Sequence, residues 1–239
     1  MKVKNDLLGY ENLKIIQDTD YFSFSLDSVL LPNFVRIDKK CKKILDIGTG
    51  NAPIPLILST KTKAKIVAIE VQKEIYDMAV ETVEMNNLSK QIELINDDVN
   101  NIGKYFDAES FDIILSNPPY FKTNNLSKQN DNPIKAIARH EILLNLNQLV
   151  QIAAKYLKND GVFSMVYRTD RMVEVLKAMS DNKLEPKRIL FIFPKEGKES
   201  NLFLVEGVKN ARAGLKEVKS LIAHDNDGNY SKEVLKYFS

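Results

Sequence analysis

Four consecutive residues, Asn117-Pro118-Pro119-Tyr120, carry the most specific chemical signal in the sequence. The two prolines fix φ and remove two backbone donors, so the Asn117 side-chain oxygen and the Pro118 carbonyl are left as acceptors. Two acceptors off the plane of a ring-conjugated amine hold its hydrogens and let its nitrogen pyramidalise, which restores a lone pair for attack on an activated methyl group. Tyr120 would stack on the ring and keep it aligned. We therefore predict that this motif is catalytic.

A second signal is the segment Asp46-Ile47-Gly48-Thr49-Gly50-Asn51, in which an apolar run enters a glycine turn before a helical stretch. Such a turn lets a nucleotide lie directly against the backbone. A dinucleotide fingerprint would have a third glycine at position 53, where this chain has Pro53. The pattern therefore favours a different nucleotide-like cofactor over NAD.

Acidic residues stand at the ends of three successive predicted strands: Asp46, Glu70 and Asp98. Glu70 comes twenty residues after Gly50, where a carboxylate can accept both hydroxyls of a ribose. Asp98 is placed to accept from an adenine amine, and the Val99 amide to donate to a ring nitrogen. Because open α/β sheets bind ligands at the carboxyl ends of their strands, the ordered set indicates an adenosine cofactor.

A parallel sheet would bring these residues together, and its elements are visible from Lys43 onward. Short apolar runs alternate there with amphipathic stretches, which is typical of consecutive βαβ units. Predicted strands cover 43–47, 65–70, 92–95, 112–116, 161–167, 188–193 and 202–207. Predicted helices cover 27–35, 55–61, 72–87, 140–157, 170–181 and a short stretch ending at 237, with Asp170 and Ser231 as N-caps of the last two. We predict an α/β fold: a Rossmann-like, seven-stranded, mostly parallel sheet with helices on both faces.

The length of 239 residues suits one large domain, and we expect residues 1–239 to form a single catalytic domain. Residues 1–40 precede the first predicted strand of the sheet and are expected to form a flank or lid. Residues 121–138 are rich in Asn and other polar residues that cannot form a core, so we predict a mobile substrate loop there.

Composition narrows the class of protein. Hydrophobic residues at 44% and charged residues at 28% exclude collagen-like and largely disordered chains. We predict no membrane segment, because no apolar run is long enough to span a bilayer. The single Cys41 cannot form an internal disulfide and favours a reducing cytoplasm. With only two histidines, we predict no metal site.

Charge is distributed unevenly along the chain. Residues 1–120 carry 14 basic and 18 acidic side chains, whereas residues 121–239 carry 20 and 14. A basic second half suits a polyanionic partner such as nucleic acid. Among its cations and histidines we select Arg139, His140, Arg168 and Arg171 as candidate substrate or phosphate contacts.

Taken together, the glycine turn, Glu70, Asp98 and the NPPY motif resemble class I S-adenosylmethionine-dependent methyltransferases, several amino-methyltransferase groups of which carry NPPY. Four further segments narrow the resemblance: 21–31, Arg139-His140-Glu141, 206–210 and 227–231. With these, nearly the whole chain is similar to the bacterial tRNA adenine-N6 methyltransferase family that modifies the adenosine just 3′ of the anticodon in a valine tRNA.

This resemblance implies S-adenosyl-L-methionine as cofactor and tRNA as partner. It implies that Phe24 and Asp27 help to cover the cofactor, and that Asn117 and Pro118 hold the target amine. We predict the following cofactor-binding residues: Phe24, Asp27, Asp46, Gly48, Gly50, Asn51, Glu70, Val71, Asp98 and Val99. The chain departs from the family at Ala52 and Pro53, where Gly and an aliphatic residue are more usual, and at Asp97, where a small residue is more usual.

Other functions stay open at this point. A protein-glutamine N5-methyltransferase and an rRNA guanine-N2 methyltransferase use the same NPPY chemistry. The former usually has a separate helical N-terminal domain, for which forty residues are too few, and the latter more often has Phe at the position of Tyr120. A non-enzymatic RNA-binding module would need neither Glu70 nor Asn117. We expect a monomeric enzyme that methylates N6 of a tRNA adenosine.

Overall fold

The computed structural model describes residues 2–18, 26–118 and 144–237. Its strands, in chain order, are β1 Lys2–Leu7, β2 Tyr10–Asp18, β3 Lys43–Ile47, β4 Lys65–Glu70, β5 Ile92–Asn96, β6 Phe111–Ser116, β7 Leu157–Arg168, β8 Leu184–Phe193, β9 Leu202–Lys209, β10 Lys216–Glu217 and β11 Leu221–Ile222. Its α-helices are α1 Leu26–Phe34, α2 Pro53–Lys61, α3 Lys73–Met85, α4 Leu146–Tyr156, α5 Met172–Asp181 and α6 Lys232–Leu235. Short 3₁₀ helices cover Val99–Lys104 and Thr169–Arg171.

The central sheet confirms the predicted α/β class. Its strand order is β10-β8-β9-β7-β6-β3-β4-β5, and β11 pairs with β8. Within the described residues β9 alone runs antiparallel to its neighbours. All seven predicted strands are present, but the sheet has nine, because β10 and β11 add to it. Each of these is only two residues long, too short to leave a periodic pattern in the sequence.

Helices cover both faces of this sheet, as predicted. Neighbouring residues on β3 point to opposite sides, so Ile44 packs in a core with side chains of α1, α2 and α3. Leu45 packs in a second core with side chains of α4 and α5. Burial on both faces explains why β3, β4 and β6 are almost continuously apolar.

A hairpin at the N-terminus was not predicted. Strands β1 and β2 pair antiparallel in a separate two-stranded sheet, where we had expected only a flank or lid with one helix. The hairpin packs on α3, and the Thr82 hydroxyl accepts a hydrogen bond from the Ile16 amide at 3.1 Å. Its strands leave most side chains partly exposed and bury few apolar residues, among them Leu7 and Ile15. Such a sparse pattern is a weak strand signal.

The helix ends show which local predictions succeed. The Ser231 hydroxyl accepts from the Val234 amide at 3.1 Å, so its predicted N-cap is confirmed. The predicted Asp170 cap is wrong, because Asp170 lies in a 3₁₀ turn before α5 and pairs with Arg168. Helix α4 begins at Leu146, and Asn145 caps it in a capping box with Gln148. The predicted loop at 121–138 lies outside the described residues. None of the helices in the described ranges is long and apolar enough to cross a membrane.

Asn86 should anchor the hairpin. Its Oδ1 accepts from the Lys14 amide at 2.9 Å, and its Nδ2 donates to the Lys14 and Thr82 carbonyls, both at 2.7 Å. We expect Asn86→Ala to lower the free energy of unfolding by about 1–3 kcal/mol, because both backbone groups of Lys14 lose their partner. Urea unfolding followed by circular dichroism measures the change.

The matched control is Asn182→Ala. Asn182 ends α5 as Asn86 ends α3, but among the described residues its Nδ2 donates within its own helix end, to the Ala178 carbonyl at 2.9 Å. We expect it to cost less than half as much as Asn86→Ala. Equal losses would mean that the contact with the hairpin adds nothing to stability.

Candidate active site and cofactor crevice

The carboxyl ends of four parallel strands place the predicted site residues in one line. Ile47 at the end of β3 pairs with Ile69 of β4 on one side and with Ser116 of β6 on the other. Glu70 in turn pairs with Asn96 of β5. The order along this edge is therefore Asn117, the glycine turn, Glu70 and Asp98. From β3 the chain continues through β4 and β5 on one side, and β6 then lies on the other side of β3. This change in strand order makes the edge a topological switch point, where open α/β sheets bind ligands.

The glycine turn after β3 has a conformation that needs glycine. Gly48 and Gly50 have φ of +72° and +60°. The amides of Gly48 and Thr49 both donate to the Ile69 carbonyl, at 3.0 and 3.1 Å, which ties the turn to β4. A Cβ added at either glycine would meet no atom of the described residues within 4 Å. Residues 2–18, 26–118 and 144–237 therefore leave space for a ligand beside the turn.

Glu70 is buried at the end of β4, and each of its oxygens already holds part of the backbone. Oε2 accepts from the Gly50 amide and Oε1 from the Gln72 amide, both at 3.0 Å. Burial raises the pKa of Glu70, and its hydrogen bonds from backbone amides oppose that rise. Because each carboxylate oxygen has a second lone pair, Glu70 can hold the turn and still accept from two ligand hydroxyls.

Asp46 lies under the turn and is completely buried. Neither of its oxygens has a hydrogen-bond partner among the described residues. Burial raises its pKa to about 7; the Thr49 hydroxyl opposes this rise without meeting hydrogen-bonding geometry, and Glu70 adds to it. A buried carboxyl without a partner is a group that a bound ligand can satisfy.

The far end of the line is formed by the residues after β5. Asp98 begins the 3₁₀ helix there, and its Oδ1 accepts from the Asn100 amide and side chain, both at 2.8 Å. Oδ2 is therefore the oxygen that can face a ligand. Val71, with 39% of the residue exposed, and the largely buried Val99 offer apolar surface for a flat ring. Asp97 instead accepts from the Asn101 and Tyr105 side chains, so Asp98 is the better placed of the two.

Asn51 connects the turn to the N-terminal hairpin. Its side chain is buried, and its Nδ2 donates to the Ile16 carbonyl of β2 at 2.7 Å. The side chain thus holds protein rather than pointing into the open space beside the glycines. Cofactor binding by Asn51 stays a prediction.

Asn117 lies at the opposite end of the line, directly after β6. The hydroxyl of its neighbour Ser116 donates to the Ile47 carbonyl at 2.9 Å, which fixes the end of β6 against β3. The Asn117 Nδ2 donates to the Ser28 Oγ of α1 at 3.0 Å. Asp27, next to Ser28, is buried in the first turn of the same helix. The start of α1 therefore adjoins the predicted catalytic motif.

Ser28 is a site residue that sequence reasoning missed. It lies within the 21–31 segment that contributes to the family resemblance, but no spacing in the sequence indicates that the start of α1 reaches the end of β6. Five other predicted residues lie outside the described part of the chain: Phe24, Pro119, Tyr120, Arg139 and His140.

Two candidate substrate contacts, Arg168 and Arg171, lie at and just after the end of β7, the strand next to β6. Arg168 is partly exposed and pairs with Asp170. Arg171 donates to the Tyr167 hydroxyl at 2.6 Å and pairs with Glu174, and its side chain is only 11% exposed. Arg168 is therefore the more accessible of the two. Within the described ranges, no three His, Cys, Asp or Glu side chains gather where they could hold a metal ion.

The chain is similar in sequence to known methyltransferases. The family model described as methyltransferase small domain matches residues 25–184. A protein of Bacteroides thetaiotaomicron named tRNA1(Val) (adenine(37)-N6)-methyltransferase is 28% identical over 238 residues, which cover 98% of each chain. A protein of the same name from Phocaeicola vulgatus is 30% identical over 205 residues, 84% of this chain and 83% of that one.

Solved structures show the same fold at lower sequence identity. A protein described as a predicted O-methyltransferase from Agrobacterium tumefaciens has a TM-score of 0.69 and 21% identity, covering 89% of this chain and 95% of its own. Geranyl diphosphate C-methyltransferase from Streptomyces coelicolor, in complex with S-adenosyl-L-homocysteine, has a TM-score of 0.57 and 11% identity, covering 76% of each chain.

Asp46 should make stability depend on pH. Its pKa rises from an ordinary 3.8 to about 7 on folding, so the folded state holds the proton more tightly between these values. Stability contributed by this proton is present below pH 4 and is lost as pH rises towards 7 and above. We expect the free energy of unfolding to fall between pH 5 and pH 8 by on the order of 3 kcal/mol more in the wild type than in Asp46→Asn.

Urea titrations at a series of pH values test this difference. Glu70 shifts in the same direction and stays in the variant, so the slope should decrease without vanishing. Glu93→Gln, at an exposed position on β5, is the control and should keep the wild-type slope. An unchanged slope in Asp46→Asn would mean that Asp46 is ionised throughout.

Proposed function

The chain belongs to the methyltransferase small domain family, and we propose that it transfers the methyl group of S-adenosylmethionine to N6 of an adenosine in tRNA. We place that adenosine at position 37, just 3′ of the anticodon of a valine tRNA, as the names of the relatives state for those proteins. The observation that carries this proposal is the order of Asn117, glycine turn, Glu70 and Asp98 along one sheet edge.

The residues present fit the cofactor. Glu70 offers two oxygens to the ribose, Asp98 offers one to the adenine amine, and Val71 and Val99 offer apolar contact to the ring. The described residues leave room beside Gly48 and Gly50 for the rest of the molecule against the backbone. When bound, S-adenosylmethionine supplies an activated methyl group on a sulfonium.

The chain itself supplies alignment. Adjacent strands lie about 4.8 Å apart, so Asn117 after β6 stands one strand from the turn after β3. Its side-chain oxygen and the Pro118 carbonyl accept the two hydrogens of the N6 amine and hold its nitrogen towards the methyl group. Placing two reactants in contact and in line is the main source of rate enhancement in such a transfer. The proton released from N6 passes to solvent.

An unpaired adenine splayed from an anticodon loop suits a site of this kind, since single-stranded RNA exposes its bases for stacking and edge contacts. The basic second half of the chain would bind the RNA backbone. Arg168 lies at the end of β7, next to the strand β6 that precedes Asn117. A tRNA substrate also supports a cytoplasmic location. A monomeric state and a single domain over residues 1–239 remain predictions.

Asn117→Ala should separate catalysis from cofactor binding. We expect kcat on unmodified tRNA to fall by about 100-fold or more, because the N6 amine loses an acceptor, while the Kd for S-adenosylmethionine stays within about threefold. Labelled S-adenosylmethionine with nucleoside identification measures turnover, and calorimetry measures cofactor affinity. Loss of both together would contradict the role of Asn117, and a product other than N6-methyladenosine would contradict the proposed substrate.

Glu70→Gln should give the opposite pattern. A glutamine amide would turn a donor towards the Gly50 or Gln72 amide, which are donors themselves, and would loosen the turn. We expect the Kd for S-adenosylmethionine to rise by about tenfold or more, as for the loss of a charged hydrogen bond. Glu93→Gln on the next strand serves as the control and should leave this Kd unchanged.

A further inference from the structure

A group of exposed lysines lies at the edge of the central sheet opposite to the cofactor crevice. They stand at or shortly before the first residues of β3, β4 and β5, and we call them the lysine surface: Lys39, Lys40, Lys42, Lys63, Lys65 and Lys90. Strand β4 has six residues, so Lys65 at its start is about 17 Å from Glu70 at its end. The lysine surface is therefore separate from the crevice.

Hydrogen bonds hold the three chain segments of the lysine surface side by side. The Lys42 carbonyl accepts from the Lys65 amide at 2.9 Å. The Lys65 Nζ donates to the Lys90 carbonyl at 2.7 Å. The Gln91 side chain donates to the carbonyls of the residues before and after Lys63, at 2.7 and 3.1 Å. The backbones of the three segments are thus fixed together, and their lysines share one surface.

The lysine surface has an excess of positive charge. None of its six lysines forms an ion pair with another of the described residues. Asp38 is exposed beside them, and its Oδ1 accepts from the Lys40 amide at 2.7 Å. Asp112 accepts two backbone amides at this edge, but its charge is paired with Lys158. Like charges gathered in this way repel one another, and a bound polyanion would relieve the repulsion.

The charge count along the chain did not predict this surface. The lysine surface belongs to residues 1–120, whose net charge is negative. In the basic second half, the predicted substrate contacts Arg168 and Arg171 each pair with a carboxylate. The six lysines come together only because the starts of three parallel strands meet at one edge of the sheet.

We propose that the lysine surface binds the phosphate backbone of the tRNA at a part beyond the anticodon stem and loop. This inference rests on the proposed function, in which the anticodon loop occupies the crevice. Each lysine near a phosphate releases counterions and strengthens binding without reading the sequence. The length of β4 corresponds to about five base-pair steps of a duplex. A tRNA extends much further than that from its anticodon loop, so one molecule is long enough to contact both edges of the sheet.

A nucleic-acid backbone suits the lysine surface better than a membrane does. Binding to a membrane surface combines charge with apolar side chains that enter the lipid. The large apolar residues that are exposed in the described ranges are Val71, Tyr105, Val173, Leu215 and Leu235. None of them belongs to the three segments, so the surface offers charge alone.

The first test replaces three of these lysines in the variant Lys42→Gln/Lys63→Gln/Lys90→Gln. Lys65 is kept because its Nζ holds the Lys90 carbonyl. We expect the Kd for unmodified tRNA, measured by fluorescence anisotropy, to rise about tenfold or more. The slope of log Kd against log salt concentration should decrease by about 2 to 3, as for the loss of three phosphate contacts. The Kd for S-adenosylmethionine should stay within about twofold.

The matched control is Lys2→Gln/Lys177→Gln/Lys219→Gln. It removes the same charge from three exposed lysines, each of which is paired with a carboxylate. Its Kd for tRNA should stay within about twofold of the wild-type value. An equal rise in both variants, or a wild-type Kd in the lysine-surface variant, would overturn the proposal.

A second test uses an RNA that consists of the anticodon stem and loop alone. The lysine-surface variant should bind this RNA within about twofold of the wild type, because the RNA lacks the part that reaches the opposite edge. With whole tRNA the variant should have a raised KM and a kcat within about twofold, since the crevice is unchanged. If the stem and loop lose as much affinity as the whole tRNA, the proposed contact is wrong.

The binding measurements do not depend on turnover. If the wild type fails to methylate tRNA, the proposed function is wrong, but a loss of tRNA affinity confined to the lysine-surface variant still supports this surface. Flotation with vesicles that contain phosphatidylserine tests the other class of partner. Vesicle binding that is lost in the variant, together with an unchanged Kd for tRNA, would assign the surface to membranes and overturn the proposal.

Discussion

The parallel register of β3 with its two neighbours is the constraint on which the site depends. Because Ile47 pairs with Ile69 and with Ser116, the carboxyl ends of β3, β4 and β6 lie at the same level of the sheet. Two hydrogen bonds to the Ile69 carbonyl and one from Ser116 to the Ile47 carbonyl lock that height. A slip of one residue would turn Glu70 to the other face of the sheet and separate it from the glycine turn.

The site also holds two buried carboxyl groups whose ionised forms are disfavoured by burial. Asp46 and Glu70 are both buried at the same strand ends, and burial raises the pKa of each. Glu70 is supported by backbone amides, whereas Asp46 has no partner among the described residues. Such destabilising groups persist at functional sites because a ligand completes them. A ligand that donates a hydrogen bond to Asp46 would therefore stabilise the fold.

The N-terminal hairpin and α1, which lie outside the central sheet, contact residues of the crevice. The N-terminal hairpin packs on α3 and holds Asn51 beside the glycine turn, and α1 presents Asp27 and Ser28 at the end of β6. Both elements precede the sheet in the chain: the hairpin contacts the glycine turn through Asn51, and α1 contacts the residue after β6 through Ser28. Residues before Lys43 thus form part of the site in addition to flanking the sheet.

Much of this could be predicted from the sequence, because burial on both faces makes strands such as 43–47 and 65–70 continuously apolar, and their ends carry the chemistry. The family resemblance followed from the same residues. Other features depend on contacts between distant segments, which no local pattern records. The hairpin at 2–18 forms because α3 covers it, and Asp170 pairs with Arg168 instead of capping α5. The contact of Asn117 with Ser28 exists because α1 packs against the end of β6. A hydrogen bond between residues 28 and 117 depends on where two packed elements meet and not on the sequence around either one.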